Sequence, residues 1–423
     1  MKNLIKSTLA FALATSALTG AATAADLRMS WWGGDSRHIA TQEALKLCGE
    51  KYGHTVAPEF TGFSGYLEKL TTQMAGGTEP DIMQVNWPWL PLFSQDGEGF
   101  YDLNSLSETI DLSQWSAEEL AATDIKGKLN GLSISTTGRV FFFNTTTMED
   151  AGLPLPTTWE EFFATAAALR EKMGEDHYLY NAGLDGARLL ATLYMTQKTG
   201  QDLVDPDTNR VAWSVEDLTK AIDFYGEMVE KKAMNSIEQE AAAGNQYLYE
   251  KRDWASGKIV GSYEWDTTFF KFSDPLDEGE VLTATKPIKF ADAVSDGIYR
   301  KASMLFAISK NTKNPQAAAQ IINCMLNEPE GIDALKDTRG LPASQTAFDR
   351  LTDAGMIAPE ILEANAIVMA ASGPTLSPFN EHPEVMSIFS DTLEEYAYGM
   401  IQSDEAAEVI IDGVNKVLKG FDS

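Results

Sequence analysis

Residues 65–89 read GYLEKLTTQMAGGTEPDIMQVNWPW, and this stretch decides the fold. Leu67, Leu70 and Met74 fall on one face of a helix over residues 65–74. Gly76 and Gly77 stop it, because glycine takes the left-handed backbone that ends helices without a Cβ penalty. Glu79-Pro80 turns the chain, and residues 81–85 form an apolar strand that runs into Asn86-Trp87-Pro88-Trp89. Upstream, residues 27–31 read as a strand and 54–60 as another. Between them, 37–51 is a helix with Ile39, Ala40, Ala44, Leu45 and Leu47 at helical spacing. Strand–helix–strand–helix–strand predicts an α/β protein with a parallel sheet and right-handed crossovers.

In such sheets ligands bind beyond the carboxyl ends of the strands. Those ends carry Trp31-Trp32, Phe63-Ser64-Gly65-Tyr66 and Asn86-Trp87. A single tryptophan is as readily core as site. Three aromatic clusters at equivalent strand ends suit a sugar, whose ring buries apolar area on an aromatic face while its hydroxyls meet polar groups.

Further along, Val140-Phe141-Phe142-Phe143 lies in a strand over residues 138–144 that reads as buried on both faces. Thr158 caps a helix, with Glu161 completing a capping box. Helices are expected around 187–198, 215–231 and 238–257, and strands over 258–264 and 302–309. A helix follows over 315–327, and helical sequence runs from Thr346 to the end, interrupted from Pro374 to Pro378.

The 423 residues favour about two domains. Lys2 and Lys6, an uncharged apolar run over residues 7–18 and Ala22-Thr23-Ala24 form the pattern of a cleavable secretory signal. The run is too short for a bilayer core of ~30 Å. A soluble periplasmic protein starting near Ala25, without membrane insertion, is expected. The net charge of −29 repels phosphate backbones and argues against nucleic acid as a partner. Cys48 and Cys324 could pair in an oxidising compartment or sit as small buried hydrophobes. His38, His54, His177 and His382 form no HExxH and the cysteines no CxxC, so neither a metal site nor a cofactor is expected.

Several blocks together resemble the family 1 extracellular solute-binding proteins, the maltose-binding-protein-like group that serves carbohydrate ABC importers. They are residues 65–70 and 76–82, Phe141-Phe142-Phe143-Asn144, Gly152-Leu153-Pro154-Leu155-Pro156, Thr158-Trp159-Glu160-Glu161-Phe162, Ala307-Ile308-Ser309-Lys310 and Gly340-Leu341-Pro342-Ala343. Trp31-Trp32-Gly33-Gly34-Asp35-Ser36-Arg37-His38, residues 68–74 and Asn86-Trp87 followed by Phe100-Tyr101-Asp102-Leu103-Asn104 are similar to oligogalacturonide-binding proteins of pectin-degrading bacteria. The resemblance implies a two-lobed periplasmic binding protein fold of type II that clamps its ligand and docks on an inner-membrane ABC permease. The N-terminal lobe would hold residues 25–135 and 304–342, the C-terminal lobe 136–303 and 343–423, after a signal over 1–24. Hinge crossings would lie near Ser135, Met304 and Pro342. A monomer is expected.

A uronic acid ligand carries a carboxylate on each ring, so the cleft should offer cations. Arg37, Arg139, Arg188, Arg300 and Arg339 are the candidates, because a guanidinium grips a carboxylate with two charge-assisted hydrogen bonds. Each could instead pair with one of the 62 acidic residues. Arg139 stands out, since a charge inside an apolar strand is costly without a specific partner. Trp31, Trp32, Asp35, Ser64, Tyr66, Asn86, Trp87, Glu264 and Trp265 complete the expected ligand-binding set, and no residue is assigned a catalytic role. The alternatives are a carrier for a neutral oligosaccharide, a peptide, a polyamine or an iron complex, or a secreted carbohydrate-active enzyme. A glycosidase would need two carboxylates set across a cleft.

Overall fold

β1 (Asp26–Trp32) alternates polar and apolar residues from Asp26 to Trp31 and buries Leu27, Met29 and Trp31. It pairs in parallel with β2 (Thr55–Thr61) on one side and β3 (Ile82–Asn86) on the other, as the crossover pattern requires. The connections are α1 (Asp35–Tyr52) and α2 (Tyr66–Ala75). Gly77, with φ of 62°, supplies the left-handed turn after α2. In this computed structural model residues 24–421 are described, apart from Ala182, Asn245 and Thr375. The expected signal therefore lies outside the described residues, except for Ala24.

Two further strands complete the first sheet and make it mixed. β4 (Leu132–Ser133) and the late β9 (Met304–Ile308) give the order β2-β1-β3-β9-β4, with β9 antiparallel to both neighbours. The second sheet centres on β5 (Thr136–Asn144). β6 (Gly261–Trp265), β7 (Leu282–Thr285) and β8 (Arg300–Ala302) all pair antiparallel with it. Alternate residues of β5 feed two different cores. Phe141 and Phe143 join one under the helices, while Val140 and Phe142 join another on the opposite face. Each buried phenylalanine contributes ~1.5–3 kcal/mol of burial free energy.

The larger core of the second half lies under α3 (Trp159–Met173), α4 (Gly183–Thr199), α5 (Val215–Glu230), α6 (Pro383–Ala397) and α7 (Ser403–Leu418). Thr158 and Glu161 form the expected capping box on α3. Three expectations need correction. The strand expected over 302–309 is two strands broken at Ser303, because the chain leaves one sheet and enters the other there. The helix expected over 238–257 breaks after Ala242, at Gly244 with φ of 88°, and resumes only as the short turns Leu248–Glu250 and Arg252–Ala255. The strand expected over 258–264 is shifted to Gly261–Trp265.

The chain passes between the sheets at one place. Ile134 donates to the Met304 carbonyl at 2.8 Å, Ser303 donates to the Ser135 carbonyl at 2.9 Å, and Ala343 donates to the Ile134 carbonyl at 2.9 Å. The two segments that link the sheets and the later segment at Ala343 thus share backbone hydrogen bonds around Ser135, whose hydroxyl also donates to the Arg339 carbonyl at 2.8 Å. A disulfide joins Cys48 on α1 to Cys324 on the helix Pro315–Asn327. It ties an early segment of the first core to the segment that returns after β9.

Candidate functional site

The strand ends of the first sheet carry an aromatic group. The Trp32 ring centre lies 5.1 Å from Tyr66, 5.2 Å from Trp89 and 5.7 Å from Phe63. Trp32, Tyr66 and Trp89 are buried and Phe63 is exposed, so the group reaches the surface through Phe63; Ser64, next in the chain, and Asp35 are also exposed. Other expected residues are taken up by the interior. Trp31 is fully buried and donates to His38 Nδ1 at 3.1 Å. Trp87 donates to the Ala122 carbonyl at 2.7 Å. The buried Tyr66 hydroxyl donates to the Gln84 carbonyl at 2.9 Å. Strand alternation turns the two adjacent tryptophans of β1 to opposite faces, yet both are buried, because each face of the sheet is covered.

The arginines divide in the same way. Arg339 is buried, with Nε donating to Gln84 at 2.9 Å and Nη2 to Thr41 at 2.8 Å, between α1 and β3. Burial, and then Arg37, hold its pKa well below the arginine range. Arg37 donates to the Thr338 carbonyl at 3.0 Å, and burial pushes its pKa down to about 10. These two guanidiniums therefore bind first-half backbone, amide and hydroxyl groups, although Arg339 Nη1 is enclosed without a partner. Arg300 donates weakly to the Met369 carbonyl at 3.4 Å and sits 3.9 Å from Glu118, which comes from the first half. Asn86, half-buried, opens the Trp87–Trp89 turn.

The second sheet gathers a denser cluster. Arg139 on β5 and Trp265 on β6 are directly opposite in register, and the guanidinium lies 4.3 Å from the indole centre. Arg139 Nη1 donates to the Tyr263 carbonyl at 2.9 Å and lies 3.7 Å from Glu264. Burial raises the Glu264 pKa, with Arg139 pulling against it. Lys301 on β8 is buried, lies 4.8 Å from the Trp265 ring and forms an ion pair with Glu381. Burial works to raise the Glu381 pKa, but Lys301, Arg139 and Arg188 outweigh it and hold it low.

Several polar atoms of this cluster are enclosed without a hydrogen bond: Arg139 Nε, Arg188 Nε and the hydroxyls of Tyr263 and Tyr299. The Tyr299 hydroxyl lies near the Glu381 carboxylate without a well-formed bond, and burial drives its pKa well above the phenol range. Leaving a buried donor unpaired costs ~1–3 kcal/mol. The arrangement can meet an acidic or hydroxyl-rich group with donors already in place. Asp202, close enough for Arg188 to act on it, accepts from Asn380 Nδ2 at 2.8 Å.

Lys301, Glu381, Tyr299 and Asp202 escaped the reading of the sequence. One signal existed for Lys301: it neighbours Arg300 next to an apolar strand, and only one of two adjacent strand residues can face inward. The Trp87–Trp89 turn of the first half packs against the Pro378–Glu381 turn of the second, so the aromatic group and the cation cluster belong to one junction. Among the described residues one grouping has metal-ligand spacing, Cys324, Glu328 and Glu330. Its sulfur is in the disulfide and both carboxylates pair with Lys51 at 2.9 Å. Among the described residues no helix is long and apolar enough to cross a membrane.

Comparison with known proteins fits this architecture. The family described as bacterial extracellular solute-binding protein matches residues 36–332. A periplasmic solute-binding protein of Pectobacterium atrosepticum superposes with a TM-score of 0.89 at 36% identity, over 94% of this chain and 99% of that one. A periplasmic oligogalacturonide-binding protein of Yersinia enterocolitica, solved with saturated digalacturonic acid, gives 0.87 at 37% identity, over 94% and 99%. Among curated sequences, a binding protein of Brucella abortus is 28% identical over 151 residues, and the chain spans about a third of that relative's length (34% of each protein). Two sheets linked where β4 runs into β5 and where β8 runs into β9, together with a family match over most of the sequence, lead to one conclusion: the chain belongs to the bacterial extracellular solute-binding proteins, a family of two-lobed binding proteins.

Proposed function

We propose that this protein is the periplasmic carrier of an ABC importer for short acidic oligosaccharides of the galacturonide type, held between its two lobes. The observation that carries the reading is the pair of cations Arg139 and Lys301 over Trp265, with the Nε–H groups of Arg139 and of the neighbouring Arg188 enclosed and without a partner. In a chain with 62 acidic and 33 basic residues, ion pairs for arginine are plentiful. No carboxylate closes an ion pair with Arg188 among the described residues. A uronate carboxylate would satisfy these donors, and Trp265 would face the sugar ring. The neighbour that holds digalacturonic acid supports the same ligand class.

In this reading residues 25–135 with 304–342 form one lobe and 136–303 with 343–423 the other. The crossing segments around Ser135 act as the hinge. Ligand binds the closed arrangement more tightly and shifts the population toward it. On the first lobe the Trp32 group, Ser64 and Asp35 face the same ligand and Asn86 borders it, while Arg300 borders it from the second lobe. The signal over residues 1–24 is removed on export, and the closed monomer docks on the permease.

A thermal-shift series tests this reading with galacturonate, di- and trigalacturonate, galactose, maltose and spermidine. A ligand that binds only the folded protein raises its melting temperature with the logarithm of concentration over Kd. A shift with the galacturonides that Arg139→Ala abolishes is the expected result. A shift with galactose or maltose alone would keep a sugar carrier and sink the acidic ligand.

A further inference from the structure

Beyond Trp265 the second lobe carries a second aromatic surface. Tyr247 and Tyr249 stack with ring centres 5.5 Å apart and planes 11° from parallel, and Tyr247 is 67% exposed. The stack is anchored from below. Tyr249 meets Phe272 edge-on at 5.9 Å, and Phe272 meets the fully buried Trp254 in the same way at 6.0 Å. This ladder of rings holds an outer tyrosine rigid, with one face open to water. A rigid exposed aromatic face loses little side-chain entropy when a ring stacks on it.

A cation completes the surface. Lys271 Nζ lies 4.2 Å from the Tyr249 ring centre and 5.9 Å from Tyr247. Lys271 is exposed and closes no ion pair with a carboxylate among the described residues. It stands one helical segment after Trp265, on Phe269–Ser273, and its charge acts on the Glu264 carboxyl. Only the five residues 266–270 separate Trp265 from Lys271, so the platform follows directly in the chain on the Arg139–Trp265 cluster.

We propose that Tyr247, Tyr249 and Lys271 form a distal subsite for the later rings of a longer acidic oligosaccharide, with the ring on Tyr247 and its carboxylate on the Lys271 ammonium. The inference rests on the galacturonide reading above and extends it to chain length. A neutral oligosaccharide would use the tyrosine face and leave the ammonium unpaired, so the pairing selects for uronates.

Calorimetric titration of the purified protein with di-, tri- and tetragalacturonate decides the matter, using wild type, Lys271→Gln and Tyr247→Ala. Both positions are exposed, and unchanged melting curves without ligand will verify folding. Affinity is expected to rise with chain length in the wild type. Each variant is expected to lose about tenfold for tetragalacturonate and nothing for digalacturonate. Equal affinity for all three lengths, untouched by either variant, overturns the distal subsite and leaves the primary reading intact. Failure of the wild type to bind any galacturonide overturns the primary reading, and this inference with it.

Discussion

Arg139 lies with its guanidinium 4.3 Å from the ring centre of Trp265, its direct partner across the β5–β6 ladder. The pair fixes both groups. The arginine is held over the indole and by the Tyr263 carbonyl, and the indole cannot swing away without losing the cation. Lys301 approaches the same ring, so Trp265 sits at the focus of two cations.

Trp265→Ala should therefore weaken digalacturonate binding by about 10- to 100-fold, and Arg139→Ala by at least as much. Arg139→Lys should not restore it, because an ammonium has neither the planar fork nor the stacking face. Calorimetric titration measures the affinities. Near-wild-type binding by Arg139→Ala would remove the cluster from the ligand site.

Lys301 and Glu381 are a buried ion pair, and removing either partner strands a charge. Lys301→Met or Glu381→Leu alone should cost about 3–5 kcal/mol of stability, while the double variant should recover much of that loss. Urea denaturation of the four proteins gives the coupling. Additive losses would show that the pair does not act as a unit.

Asp202 gives a stability term with a definite sign. Burial pushes its pKa up to about 7 from an ordinary 3.8, against the opposing Leu203 N–H and Arg188. The folded state keeps the proton between those values and the unfolded chain does not. The contribution is full below about pH 4, falls as pH rises through the window and is gone above about pH 7. Each unit within the window is worth ~1.4 kcal/mol. Burial raises Glu264 and Asp266 in the same direction, so the comparison with Asp202→Asn isolates this group. The variant's urea midpoint should gain less than the parent's on going from pH 7.5 to 5.5. Equal gains would refute the assignment.

The Cys48–Cys324 disulfide closes a loop across 276 residues of sequence, most of which belongs to the other half of the molecule. Cys48→Ala with Cys324→Ala should lower stability by about 2–5 kcal/mol. Thermal melts with and without reductant should show the parent, but not the double variant, falling on reduction. Ligand affinity should change little, because both cysteines lie within the first core, away from Trp265.

Much of the fold could be read because it is written in local periodicity. The βαβαβ unit of residues 26–86 and the doubly buried Val140–Phe143 run follow from spacing alone. The breaks did not: nothing local distinguishes Ser303 from its neighbours. It becomes a boundary only because Ser135, far back in the chain, accepts its hydrogen bond. The helix expected over 238–257 failed at Gly244, where one left-handed residue outweighed the helical propensity around it. The site was legible at Arg139, because a charge within a run of phenylalanines is anomalous in any fold.

By itself the sequence determined the α/β class, the order of strands and helices in the first half, the aromatic character of the strand ends and the anomaly at Arg139. These properties depend on neighbours in the chain, and spacing encodes them. The tertiary structure alone decided the antiparallel return of β9, the pairing of Cys48 with Cys324 and the division of the tryptophans and arginines between interior and junction. It alone brought Lys301 and Glu381 to Arg139 and Trp265. Those outcomes depend on which distant surfaces must cover one another, and a buried charge finds its partner only after that choice is made.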